Sequence, residues 1–92
     1  MASASLTDEA RAELAFICRL IAARNRSLAE WAEVASNDRF ESKHLVGGFE
    51  AAEGMFTFRY SRAGEEFRFQ LSLEAANGVG EGHWPQIELR MS

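Results

Sequence analysis

The 92-residue sequence predicts an α+β domain in which two N-terminal helices pack on one face of a four-stranded antiparallel β-meander, in the order α-α-β-β-β-β. Two observations carry this expectation. Apolar residues recur at helical spacing as far as Ala35 and at a period of two from Leu45 onward. In the period-two half they fall on one side of every strand, so both helices must cover that side.

The first helix is expected over residues 7–25, TDEARAELAFICRLIAARN, where Leu14, Ile17, Cys18 and Ile21 form a stripe at i, i+3, i+4, i+7. Ser5 with Asp8, or Thr7 alone, can cap its start, and Asp8 and Glu9 suit the positive end of the dipole. Phe16 and Leu20 lie on a second face, which predicts a helix covered by both the sheet and the second helix. Ser27-Leu-Ala-Glu30 is a capping box and opens that second helix, with Leu28, Trp31, Ala32 and Ala35 inward and Asn37-Asp38 as its stop.

Leu45, Gly47, Phe49 and Ala51 then share one strand face. A turn at Glu53-Gly54 would set Phe49 opposite Phe58 and Gly47 opposite Tyr60, whose ring could cover the strand glycine. In FTFRYSRAGEEFRFQLSL, residues 56–73, the rings Phe56, Phe58 and Tyr60 take even positions, and Phe67, Phe69, Leu71 and Leu73 take odd ones. Paired residues share a face, so the connection must hold an even number of residues: Ala63-Gly64, or Ala63 through Glu66. NGVGEG reads as a mobile hairpin loop, followed by a last strand alternating Ile87, Leu89 and Met91, with Pro85 at its start as befits an edge.

Composition bounds the function. A chain this short buries about two-thirds of its unfolded surface, so residues 1–92 are expected to form a single domain. Net charge is −4, with the period-two half the more acidic, which favours solubility and a basic protein partner over phosphate backbones. Double-stranded DNA binding is therefore not expected. One cysteine excludes an internal disulfide framework and fits a reducing compartment. MASASLTDEA lacks the layout of a signal peptide, and Arg19 and Arg24 interrupt the longest apolar stretch, so no membrane association is expected. The expected location is the cytoplasm, that of the host if the gene is viral.

No catalytic set emerges, and the chain is read as a non-enzyme without cofactor or metal. Gly78, Gly80 and Gly82 lack the lysine and following helix of a phosphate-cradling loop. Cys18 lies on an apolar stripe, and His44 and His83 offer no zinc-ligand spacing. The ring-rich strands invite comparison with sheets that stack nucleic-acid bases, but parity puts all rings on the covered face. What stays outside is Thr57, Arg59, Ser61, Arg68, Gln70, Ser72, Gln86, Glu88 and Arg90. Partner-binding candidates are therefore Arg59, Arg68, Gln70 and Arg90 on the open face, Arg24 and Arg26 at the end of the first helix, and Trp84 beside the glycine-rich loop.

In size, charge and layout the chain resembles the small phage-encoded anti-CRISPR proteins that act on the type I-F surveillance complex. The resemblance covers the whole chain and includes no shared motif. It implies a stoichiometric inhibitor, a monomer or weak dimer, that binds CRISPR effector subunits, with guide RNA as a further candidate contact, and blocks target-DNA binding. The same acidity and size also fit an immunity protein or antitoxin that masks a bacterial toxin.

Overall fold

The computed structural model describes residues 5–92; the first four residues, part of the stretch read above for a targeting signal, lie outside the described residues. Helix α1 spans Asp8–Arg24 and α2 Leu28–Val34; strands β1 (Arg39–Glu41), β2 (Leu45–Glu50), β3 (Met55–Arg62) and β4 (Glu65–Leu71) follow, then α3 (Leu73–Gly80) and β5 (Arg90–Met91). The strands form one antiparallel sheet in sequence order, β1-β2-β3-β4-β5. The α+β class and the meander are as the sequence predicts, with one more helix and one more strand.

Local chemistry sets the helix ends. The Thr7 hydroxyl accepts from the Ala10 amide at 3.1 Å, and Asn25 closes α1 in the left-handed region at φ 51°. Both halves of the Ser27–Glu30 capping box are formed, so residues 25–27 are a corner between two helices. Within α2 only Trp31 is fully buried, and Leu28 is 52% exposed, contrary to the inward stripe expected of it.

The glycine-rich segment corrects the sequence reading most. Leu73–Gly80 is a helix, because Ser72 is an N-cap whose hydroxyl accepts from the Ala75 amide at 3.0 Å, and Ala76 and Val79 are buried. Leu73 is thus helical and not the end of a strand, and Ser72 leaves the open sheet face. Each helical glycine costs about 1 kcal/mol relative to alanine, but Gly80 lets α3 lie close on α1: a Cβ there would sit 3.1 Å from the Cys18 carbonyl oxygen. It is therefore α3, rather than α2, that packs along α1. Phe16 on the outer face of α1 stays 55% exposed.

Strand register differs in one place. The β2–β3 loop holds four residues, with the Gly54 amide donating to the Glu50 carbonyl at 2.8 Å and Gly54 at φ 66°. This shifts the predicted pairing by two, so Phe49 pairs with Phe56 and Gly47 with Phe58; the faces are unchanged. Gly47 admits no larger residue, since a Cβ would lie 2.1 Å from the Thr57 carbonyl oxygen and 2.8 Å from Cδ1 of Phe58. Ala63-Gly64 forms the two-residue turn that parity allows, with both residues at positive φ. Beyond α3 only Arg90 and Met91 pair as a strand, so Ile87 and Leu89 lie in the irregular approach to the edge, as does Pro85.

The core lies between the sheet and the helices. Trp31 is the hub of its aromatic part, with ring centroids 5.0 Å from Phe56 and 6.4 Å from both Phe40 and Phe49. Phe58 and Phe69 stack at 5.5 Å further along the same face, and Phe56, Phe58 and Tyr60 are fully buried. None of the buried residues in this core is charged. Among the described residues no helix is long and apolar enough to cross a membrane.

Candidate partner-binding face

Because all three helices contact one side of the sheet, alternation along β3 and β4 leaves Thr57, Arg59, Arg68 and Gln70 on the other side. Register then aligns these residues into cross-strand rows. Thr57 pairs with Gln70, and the Gln70 amide donates to the Thr57 hydroxyl at 3.3 Å and also to Glu53. In the neighbouring row Arg59 pairs with Arg68, and Arg68 with Arg90. Three guanidinium-bearing residues therefore occupy directly opposed positions on three adjacent strands.

Directly opposed like charges destabilise a sheet, and among the described residues a single ion pair offsets them. Arg90 alone has an acidic neighbour: Glu88 Oε1 accepts from its Nε at 3.0 Å and its Nη2 at 2.9 Å. Arg59 and Arg68 form no ion pair among the described residues. A shallow groove of about 700 Å³ lies along this face, lined by Thr57, Arg68, Gln70, Gln86, Glu88 and Arg90 among others. No aromatic ring projects from this side of β3 or β4, since Phe56, Phe58, Tyr60, Phe67 and Phe69 are all buried on the other. Gln86 and Glu88 border the face from an irregular segment rather than from a strand.

The other sequence candidates lie elsewhere and already have partners. Arg24 Nε is 3.2 Å from Asp38 Oδ2, and Arg26 pairs with the same carboxylate oxygen. Their guanidiniums also lie over rings, Arg24 over Phe40 at 5.1 Å and Arg26 over Trp31 at 4.8 Å. Together they tie the α1–α2 corner to the start of β1. Trp84 is half-buried against the core, with the Arg11 guanidinium 4.2 Å above its ring. Of the seven candidates, the fold thus brings Arg59, Arg68, Gln70 and Arg90 together and holds Arg24, Arg26 and Trp84 apart from them.

A second polar cluster escaped the sequence reading. Glu9 and Glu13 lie one helical turn apart on α1, and His44 approaches them from the start of β2. His44 Nδ1 lies 2.6 Å from Glu13 Oε2, and His44 Nε2 lies 3.4 Å from Glu9 Oε1. Glu13 Oε1 also accepts from the Ser42 hydroxyl at 2.6 Å and the His44 amide at 2.8 Å. Burial opposes ionisation of Glu13, yet the His44 ring, the Ser42 hydroxyl and the His44 amide together hold its carboxyl below the ordinary value of 4.5. Among the described residues, these three form the group whose donor atoms lie close enough to consider for a metal, all within 4.8 Å of one another. The two ring nitrogens face different carboxylates, an arrangement that fastens the β1–β2 hairpin to α1. The signal in sequence was faint: two carboxylates at i, i+4 and a histidine 31 residues beyond.

Cys18 is fully buried, and burial pushes its thiol up to about 12, which leaves it without nucleophilic character at neutral pH. Neither His44 nor His83 shares a hydrogen bond with it. No protein-family model, curated protein or solved structure matches the chain.

Proposed function

We propose that the protein is a stoichiometric binding protein whose open sheet face is its interface. The observation that supports this is the row Arg59–Arg68–Arg90, three like charges opposed on one face at the expense of the sheet that carries them. A face kept only for solvation needs no such alignment. Arginine also suits interfaces, because its planar fork binds carboxylates and carbonyls in pairs of hydrogen bonds.

The sharpest form of this reading is the one the sequence resemblance implies: an anti-CRISPR protein that binds subunits of a type I surveillance complex and blocks target-DNA binding. The test is capture of such a complex by tagged protein, combined with a DNA-binding assay of the captured complex. The reading expects capture and loss of DNA binding, and both effects weaken when Arg59, Arg68 and Arg90 are replaced by Glu. No capture at micromolar concentration across several type I complexes overturns the anti-CRISPR form. Capture of a toxin polypeptide instead, with rescue of cells that express it, supports the immunity alternative through the same face.

A further inference from the structure

We infer that the arginine row is a receptor for carboxylates, and that the partner offers a short acidic segment there rather than a basic surface or a phosphate backbone. This rests on the open-face reading above and names the chemistry that face accepts. The whole-chain charge of −4 points to a basic partner, but the row reverses that sign locally. Arg59, Arg68 and Arg90 are all exposed, and the first two have no acidic partner among the described residues.

The chain already contains one instance of the contact. Glu88 Oε1 accepts from both Nε and Nη2 of Arg90, a charge-assisted contact of one carboxylate oxygen with the side edge of the guanidinium. Glu88 reaches in from the irregular segment before β5 and is itself 76% exposed in its side chain. It occupies the end of the row that an incoming carboxylate would take and leaves the other two arginines open.

Spacing favours a compact acidic segment. Adjacent strands lie about 4.8 Å apart, so the row spans roughly 10 Å from Arg59 to Arg90. A helix laid across the strands matches that span with carboxylates at i, i+3 and i+7, given a rise of about 1.5 Å per residue. A continuous phosphate chain fits less well. The face has no ring on which a base could stack, and the carboxylates of Glu50, Glu53 and Glu88 around the groove confine any anion, of either kind, to the short arginine row.

The test measures binding of three labelled probes at low salt: an oligo-glutamate peptide, a single-stranded RNA oligonucleotide and an oligo-lysine peptide. The inference expects salt-sensitive binding of oligo-glutamate, weakened at least about tenfold by R59E or R68E and strengthened by E88Q, which frees Arg90. The thermal midpoints of R59E and R68E serve as the folding control and should be unchanged or raised. Preference for RNA or for oligo-lysine overturns the inference, as does oligo-glutamate binding that ignores R59E and R68E. The two levels of the account fail separately. If R59E and R68E abolish capture of the cellular partner while oligo-glutamate does not bind, the face is the interface and the carboxylate chemistry is wrong. If oligo-glutamate binds as expected but R59E and R68E leave partner capture unchanged, the open-face reading fails.

Discussion

The two faces of strands β3 and β4 are made from alternate residues of the same eighteen-residue stretch, yet they follow opposite rules. On the inner face each cross-strand pair reinforces its neighbours: Phe58 pairs with Phe69, Tyr60 with Phe67 and Phe56 with Leu71, all of them buried. On the outer face the central pair is Arg59 opposite Arg68, extended by Arg90, a combination that works against the sheet. Residues on the inner face are explained by stability. Those on the outer row are not, and that contrast is the ground on which we propose them for binding.

Truncating the inner face should break the fold. Phe58→Ala removes a ring stacked on Phe69 from a site with no solvent access and should cost about 3–5 kcal/mol, read as a lowered midpoint in urea unfolding. Gly47→Ala should cost about 3 kcal/mol in the same experiment, because its Cβ would collide with the Thr57 carbonyl of the paired strand.

The Glu13 clasp should have a smaller effect with a pH signature. Its carboxyl titrates lower in the folded chain than in the unfolded one. Its contribution is therefore complete above the ordinary value of 4.5 and is lost as the pH falls through the lower folded value. Glu13→Gln should cost about 1–3 kcal/mol at pH 7 and should flatten the decline in stability on acidification. Equal slopes for wild type and variant below pH 4.5 would contradict the clasp.

At the small end, Arg68→Glu converts two like-charge pairs into two opposite-charge pairs. It should raise stability by roughly 0.2–1 kcal/mol, a gain that salt should reduce.

The inner face was legible in the sequence because period-two alternation and turn parity depend only on spacing. They put each ring of β2, β3 and β4 on the covered face and identified Ala63-Gly64 as a possible turn. Register across β2–β3 was not legible: Glu53-Gly54 looked like a complete two-residue turn, whereas the Glu50 carbonyl accepts from both Glu53 and Gly54 and closes a longer one. Strand β1 escaped because three residues centred on Phe40 are too few to show a period. Helix α3 was hidden by Gly78 and Gly80; the advantage of Gly80 appears only where α3 meets the Cys18 carbonyl. The N-cap Ser72 and the spacing of Leu73, Ala76 and Val79 were its available signals.

The site was legible as a list but not as an arrangement. Alternation put Arg59, Arg68 and Arg90 outside, but only the register shows that they stand in one row. Arg24 and Arg26 looked like a free basic group until Asp38, twelve residues past Arg26, came back to pair with them.

The central claim is that the outer row serves binding rather than folding, and Arg68→Glu tests it most directly when its thermal midpoint and its capture of the cellular partner are measured side by side. The account predicts a midpoint equal to or above wild type together with lost capture. A lowered midpoint, or full capture by the folded variant, would contradict it.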